Sequence, residues 1–314
     1  MNLFWKKIFG RLMPTANYEK QEVDFLTASE KNKTLRYSSA LAEYKKLFLA
    51  FKFKSAQERK QIKGRLTELK KHPDVAFFLR NQTQKHGIFR DAFLTFSDDF
   101  YRKNTEHSSW GPGFYFQNEK LIRNYSFHNE KQANNSGQNT TLNGGTLKIH
   151  TRREVAKSLA WRPVSGFSEK QFAYTSDIIQ TAKSFRQQGG IFKAKIRCSG
   201  NIHHAFWLGT ETKQPHINIF HCNGKEIQMG VVHQNSGDGI TIKGIDTSKF
   251  YIYTLEWTKD ALVWYINNLA VLRVRHNIPQ ESMFLVFNSF IPENMGGEEG
   301  LLEVDWVRVY QYNQ

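Results

Sequence analysis

The sequence has little cysteine and no long apolar run. Two cysteines, Cys198 and Cys222, among 314 residues exclude a small scaffold held together by disulfides, and we expect two buried, reduced thiols. No stretch approaches the roughly 18 consecutive apolar residues that a membrane span requires. The chain also lacks a glycine-rich phosphate loop, a paired-cysteine zinc pattern, a nucleophile elbow and tandem repeats. These absences exclude several common classes of enzyme and metal-binding module.

The first 14 residues lack the features of a secretion signal. Lysine and arginine interrupt their apolar positions, and no small-residue cleavage site follows. We therefore expect a cytoplasmic location, with attachment to the membrane periphery or to an exported assembly as alternatives. The segment also has the pattern of a short amphipathic helix, with Leu3, Phe4, Ile8 and Leu12 on its apolar face. A docking segment is the simpler interpretation of this helix, and a membrane-surface anchor is the alternative.

The net charge of +15 is unevenly distributed. Residues 1–92 hold 20 Lys and Arg against 9 Asp and Glu, whereas residues 93–314 hold 24 against 20. The excess of positive charge therefore belongs to the N-terminal third. An anionic partner is more plausible for that third than for the rest of the chain, and nucleic acid is not expected.

Residues 1–92 have the pattern of a basic helical arm. Residues 38–53 carry apolar side chains at helical spacing, and Ser55 with Glu58 forms a capping box that opens the next helix. That helix is expected to end at Pro73, and a short helix over residues 74–80 follows. The arm is too small to bury much surface alone. We expect it to mediate assembly or attachment, through a protein partner, self-association or an anionic surface.

Residues 93–314 have a different pattern, with short β-rich runs separated by turns that contain glycine and asparagine. Many short strands at such spacing are typical of an all-β sandwich or barrel. The runs are 172–179, 190–196, 205–208, 217–220, 228–233, 251–257, 262–266, 283–288 and 302–310.

Eight short segments of residues 93–314, in order, resemble glycoside hydrolase family 16, whose members cut β-glucans, galactans and related polysaccharides. The similar segments are LTFSDDF at 94–100, NGGTLKI at 143–149, YTSDII at 174–179, GIFKAKI at 190–196, AFWL at 205–208, YTLEWT at 253–258, WYIN at 264–267 and VDWVRVY at 304–310. The resemblance covers roughly residues 93–312. It implies a concanavalin A-like jelly roll, a sandwich of two curved antiparallel sheets with a sugar cleft, preceded here by a small helical region.

The catalytic carboxylates of the family are absent from this chain. The family motif reads Glu-x-Asp-x-x-Glu, and the matching positions here are His216, Asn218 and His221. Alternation along a strand, together with a β-bulge before the third position, is expected to point all three side chains into the cleft. Retaining hydrolysis needs two carboxyl groups about 5–5.5 Å apart. We therefore predict a pseudoenzyme without ordinary family hydrolysis.

The first interpretation of the cleft is a lectin-like, carbohydrate-binding site for a poly- or oligosaccharide. Indole rings offer flat faces for pyranose rings, and imidazole and amide groups offer hydrogen bonds. The predicted contacts are Trp207, His216, Asn218, His221, His233, Trp110, Asn288 and Trp161. By contrast, we expect Trp257, Trp264 and Trp306 to pack in the core.

An enzyme with rewired chemistry is the second interpretation, and it would still be an O-glycosyl hydrolase acting on polysaccharide. His221 would then serve as an acid near neutral pH. Alternatively, His216, His221 and His233, with His203 and His204 nearby, would hold zinc with an open position. Neutral histidines lining a polar cleft are the simpler expectation, since no spacing here is diagnostic of a metal site.

Two further expectations concern structure. The family often carries calcium on the convex side, and the resemblance implies Asp305, with Asp98 or Asp99, as its ligands here. We expect that the protein requires no cofactor. The one exception to be tested is a structural calcium ion. The third interpretation of the whole chain is a structural component that uses the jelly roll as a rigid body.

Overall fold

The computed structural model describes residues 1–3, 10–83, 92–101, 109–116, 118, 120–212, 214–234 and 236–312. The chain divides into two compact units. The helical unit is Ala16–Phe93, and the jelly-roll unit combines Met1–Thr15 with Leu94–Gln314. In the parts of the chain that are described, no helix is both long and apolar enough to cross a membrane.

The helical unit contains four α-helices. They are α1 (Thr15–Leu35, whose first residue belongs to the other unit), α2 (Ser39–Ala50), α3 (Ala56–Leu69) and α4 (Pro73–Thr83), with a 3₁₀ turn at Phe51–Phe53. The Ser38 side chain accepts a hydrogen bond from the Leu41 amide and so caps α2. The predicted capping box of Ser55 and Glu58 at the start of α3 is present. A small apolar core holds the unit together, formed by Leu35, Leu41, Tyr44, Leu69 and Val75.

Two large sheets form the jelly-roll unit, as the sequence predicted. In numbering that follows the chain, the eight-stranded sheet contains β1 (Ala92–Asp98), β5 (Thr140–Asn143), β6 (Thr146–Thr151), β11 (Gly190–Ser199), β16 (Tyr251–Trp257), β17 (Leu262–Ile266), β18 (Leu269–Val274) and β20 (Gly300–Tyr312). Its order is β18–β17–β16–β11–β20–β6–β5, and β1 pairs with β20.

The seven-stranded sheet carries the candidate site. It contains β2 (Gly111–Pro112), β10 (Ile178–Gln180), β12 (His203–Gly209), β13 (His216–Cys222), β14 (Ile227–Val232), β15 (Gly237–Ile242) and β19 (Phe284–Phe290). Its order is β15–β14–β13–β12–β19–β10–β2. Two smaller sheets complete the unit, one of β3 (Ser126–Phe127), β7 (Ala156–Arg162) and β8 (Gly166–Phe172), the other of β4 (Gln132–Asn134) and β9 (Tyr174–Ser176).

The core of this unit is built from side chains of both large sheets, as in other sandwiches. Trp257 and Trp264 are buried there, as predicted. Trp306 is also buried, but it is not part of this cluster, and the Arg308 guanidinium lies 4.2 Å from the centroid of its ring. Cys198 and Cys222 are free and buried, also as predicted. They lie on β11 and β13, so the two thiols belong to different sheets.

The first residues of the chain belong with the strands and not with the helical arm that was predicted over residues 1–92. The Leu3 amide donates to the Lys243 carbonyl, the Lys243 amide donates to the Met1 carbonyl, and Asn267 Nδ2 donates to the Met13 carbonyl. Leu3 and Leu12 are buried in the core of the jelly-roll unit, so burial of apolar surface explains this placement. Residues 4–9, at the centre of the predicted amphipathic helix, lie outside the described part of the chain.

Candidate functional site

Strand β13 presents its side chains to two different environments. Ile217, Ile219 and Phe220 are buried in the core of the sandwich, whereas His216, Asn218 and His221 line a cleft on the opposite face of the sheet. Simple alternation would place His221 in the core, because it is three residues after Asn218. The local geometry of the strand must therefore change between these two positions.

A β-bulge provides that change. On β14, Asn218 is opposite Gly230 and His221 is opposite Gln228, so three residue steps on β13 face two steps on β14. The register with β12 shifts at the same place. The bulge is anchored from the other sheet, since the indole Nε1 of Trp264 donates to the Asn218 carbonyl at 2.9 Å. The sequence prediction that His216, Asn218 and His221 share one face is therefore confirmed.

The cleft is large enough for several sugar rings, with a volume of about 810 Å³. Its floor comes from four neighbouring strands, β10, β12, β13 and β19. Its walls come mainly from β3, β4, β7 and the turn between β3 and β4. Of the predicted contacts, the lining includes Trp161, Trp207, His216, Asn218, His221 and Asn288.

Trp207 occupies the centre of the polar part of the cleft floor. Its indole Nε1 donates to Asn288 Oδ1 at 3.0 Å, which fixes the ring. His216 packs edge-on against the same indole, with ring centroids 5.7 Å apart. The indole is only partly buried, so a face of the ring is available to a ligand.

A second aromatic group lies on the cleft wall. Trp161 on β7 packs edge-on against Phe127, with centroids 5.9 Å apart, and Phe127 in turn contacts Phe114 at 5.7 Å. All three residues line the cleft. Sequence reasoning found Trp161 but missed Phe114 and Phe127, because both are outside the strands that carry the family motif.

The His221 imidazole is held in its neutral form at neutral pH. Its Nε2 lies 2.8 Å from Nδ1 of His203, one of the two rings acting as donor to the other. Burial, together with the charges of His203 and His216, lowers the pKa of His221 to about 4, and burial also lowers the pKa of His203. A neutral imidazole can donate or accept one hydrogen bond, but it is a poor proton donor to a leaving group at pH 7. The geometry therefore disfavours His221 as a catalytic acid.

Two carboxyl groups that line the cleft, those of Glu130 and Glu293, were not found from the sequence. Glu130, between β3 and β4, lines the cleft, and its Oε2 accepts hydrogen bonds from the Phe127 amide at 3.0 Å and from Gln132 Nε2 at 2.9 Å. Burial raises the pKa of Glu130 to about 7, although both hydrogen bonds and Lys170 act in the opposite direction. No strand periodicity marks a residue in such a loop, so the sequence contained no signal for it.

Two predicted cleft residues lie elsewhere. Trp110 is buried in the core, where it packs against Phe287 with centroids 5.3 Å apart, and its Nε1 donates to Asp98 Oδ2. His233 follows β14 and is not among the residues that line the cleft. Its Nε2 is buried without a hydrogen-bond partner in the described structure. These positions contradict the prediction that Trp110 and His233 contact a sugar in the cleft.

The predicted metal sites are not assembled either. Within the described ranges, no group of three or more His, Cys, Asp or Glu residues comes together to hold a metal ion, so His216, His221 and His233 do not form a zinc triad. The proposed calcium ligands are engaged in other contacts. Asp305 pairs with Lys195 at 2.8 Å, and Asp98 accepts from the Phe100 amide and the Trp110 indole. The residues present therefore do not fit a calcium ion at this position.

The fold agrees with comparisons to known proteins. A sequence profile of glycosyl hydrolases family 16 matches residues 127–308, which is more than half of the chain. The chain therefore belongs to this family. Its fold is similar to that of the laminarinase catalytic domain from Thermotoga maritima MSB8, with a TM-score of 0.57 and 17% identity over 72% of this chain and 100% of that domain.

Two curated relatives, whose sequence identity to this chain is higher than that of the laminarinase domain, are named as enzymes. The chain is 27% identical over 246 residues to endo-1,3-1,4-beta-glycanase EglC of Rhizobium meliloti (strain 1021), and 24% identical over 245 residues to endo-1,3-1,4-beta-glycanase ExsH of the same organism. Both alignments cover 69% of this chain and 51% of the relative. The chain thus spans about half the length of these relatives.

Proposed function

We propose that the protein binds a poly- or oligosaccharide in this cleft without hydrolysing it. The observation that carries the proposal is the strand β13 itself. Its bulge brings His216, Asn218 and His221 onto the cleft face. The sequence resemblance implies that the family motif has its carboxylates at these three positions. An imidazole at the nucleophile position and an amide at the second position cannot supply the carboxylate pair of a retaining mechanism.

The cleft nevertheless keeps the features that bind sugars. It combines exposed aromatic faces with a small number of oriented hydrogen-bonding groups, which is the usual composition of such sites. Trp207 provides the central face, and its hydrogen bond to Asn288 holds both side chains in place. Family membership supports a polysaccharide ligand, since the curated relatives are named as β-glycanases.

Glycan binding can be tested with the intact chain on an array that includes laminarin, lichenan, agarose and carrageenan. We expect Trp207→Ala to weaken binding at least about fivefold, because loss of a stacked ring costs on the order of 1–3 kcal/mol by analogy with base stacking on aromatic side chains. Val164→Ala is the control, since Val164 is exposed at the β7–β8 turn and does not line the cleft. Binding that survives Trp207→Ala at full strength would argue against the cleft.

The same polysaccharides test the absence of hydrolysis. We expect product formation at background level at pH 5 to 8. Retaining hydrolysis that is abolished by His216→Ala would overturn the proposal. Hydrolysis could instead be insensitive to His216→Ala but abolished by Glu130→Gln. The protein would then be an enzyme that uses the carboxyl group of Glu130. The observation that supports this alternative is the raised pKa of Glu130.

A further inference from the structure

The corner between α2 and α3 exposes large apolar side chains to solvent. Phe48, Leu49 and Phe53 are 59%, 71% and 87% exposed. They lie within six consecutive residues at the end of α2 and in the 3₁₀ turn that follows it. Single exposed apolar residues are common, but a group of three on one corner marks an interaction surface or an aggregation-prone patch.

The same corner is strongly basic. From residue 44 to residue 63 the sequence has seven Lys and Arg and one acidic residue, Glu58. That carboxylate is already engaged by Ser55 of the capping box and by Lys54, whose Nζ lies 3.2 Å away. Exposed cationic side chains therefore surround the apolar group; they are Lys45, Lys46, Lys54, Arg59 and Lys60.

Part of this corner is fixed by local contacts. Lys45 Nζ lies 4.7 Å from the centroid of the Phe78 ring, and the Arg59 guanidinium lies 5.9 Å from that of Phe51. Phe51 is only half-buried beneath Arg59, and Phe48 stacks on Tyr44 with centroids 6.0 Å apart. The corner therefore presents a defined surface in which aromatic and cationic groups alternate.

We propose that residues 45–63 dock the protein on an anionic lipid bilayer. Aromatic and leucine side chains partition into the interface between lipid headgroups and acyl chains, while lysine and arginine side chains bind the phosphates above it. Each basic residue near an anionic surface strengthens binding about fivefold. A second copy of the chain is a poorer partner, because two surfaces of the same charge would meet. The helical unit would lie on the membrane and not cross it.

The test is co-sedimentation of the full chain with two kinds of vesicle, one of phosphatidylcholine alone and one with about a third phosphatidylglycerol. We expect binding to the anionic vesicles and at least tenfold weaker binding to the neutral ones. The double variant Leu49→Ser, Phe53→Ser should reduce binding to anionic vesicles at least tenfold. Tyr37→Ser is the matched apolar control, since Tyr37 is 76% exposed in the helical unit but lies outside the corner.

A charge-matched pair separates specific docking from general basicity. Lys46→Gln, Lys60→Gln should weaken binding to anionic vesicles several-fold, whereas Lys70→Gln, Lys71→Gln removes the same charge from the end of α3 and should change it little. Equal loss in both double variants would overturn the proposal. Three other outcomes would also overturn it: equal binding to both vesicles, binding to heparin and not to lipid, or a dimer in sedimentation velocity that the Leu49→Ser, Phe53→Ser variant abolishes.

Discussion

Two buried histidines differ strongly from the free amino acid in their affinity for protons. His204 on β12 is fully buried, with Nδ1 2.8 Å from Ser289 Oγ and Nε2 3.0 Å from the Ser199 carbonyl oxygen. Burial lowers its pKa to about 4, as it does for His221. Both imidazoles are therefore neutral in the folded protein under conditions where an unfolded chain would begin to protonate them.

This difference predicts acid sensitivity. A histidine whose pKa is lower in the folded state binds fewer protons there, so the stability it contributes is complete above about pH 6.5 and is lost as the pH falls towards 4. We expect the free energy of unfolding, measured with urea, to fall between about pH 7 and about pH 4.5. His221→Gln should remove about 2 kcal/mol of that fall.

A control variant keeps the pH measurement specific. His276→Gln replaces an exposed histidine of the same unit, which pairs with Asp238 at 3.0 Å. It should leave most of the pH dependence in place. His221→Gln also removes the contact with His203. That loss changes the free energy of unfolding at every pH, but it does not change how steeply this free energy varies with pH. An unchanged slope in His221→Gln would contradict the expectation.

Among the secondary-structure elements, strand β13 determines which of its side chains face the cleft. Its bulge is independent of the identity of the three cleft-facing side chains, because it is held by pairing with β12 and β14 and by the hydrogen bond from Trp264 to the Asn218 carbonyl. We therefore expect the bulge to persist when the three cleft-facing side chains are replaced.

Restoring the carboxylates tests this view. The triple variant His216→Glu, Asn218→Asp, His221→Glu rebuilds the family motif on the same strand, and we expect it to gain measurable retaining hydrolysis of a polysaccharide that the wild-type protein binds. The variant His216→Gln, Asn218→Asp, His221→Gln has no carboxylate pair and is the control. If both variants remain inactive although they fold and bind, the cleft geometry differs from that of a hydrolase in more than its side chains.

Several elements could be predicted from local sequence. The capping box at Ser55 and Glu58 lies within four residues, so the sequence alone specified it and the structure confirms it. Helix α1, Thr15–Leu35, was not delimited in advance, because its apolar positions form no clear stripe. The structured segment Met1–Leu3 was assigned to the arm, although its hydrogen bonds go to Lys243, more than 200 residues away.

For the whole molecule, the charge distribution separates two kinds of binding. The helical unit holds 17 Lys and Arg against 9 Asp and Glu, whereas residues 93–314 are nearly balanced. In our two proposals, the cleft binds a glycan mainly through aromatic rings and hydrogen-bonding groups, and the corner of α2 and α3 binds lipid through lysine and arginine. Salt screens the second kind of contact much more than the first, because the Debye length shortens from about 10 Å at 0.1 M to about 3 Å at 1 M.

Salt titration of the two activities checks this separation. Between about 0.05 M and about 0.5 M NaCl, we expect vesicle binding to fall at least tenfold and glycan binding to change less than about twofold. The same preparation serves for both measurements, so differences in folding cannot explain the result. Glycan binding that falls as steeply as vesicle binding would show that a charged surface, and not the cleft, holds the glycan.

The sequence by itself determined the β-sandwich class, the family, and the absence of carboxylates at His216, Asn218 and His221. These depend on local periodicity and on the order of short motifs, which the chain carries directly. Only the tertiary structure decided that Trp110 packs in the core, that Glu130 lines the cleft and that His203 contacts His221. Each of these depends on packing between segments that are distant in the chain or on the path of a loop, and periodicity within one segment contains no information about either.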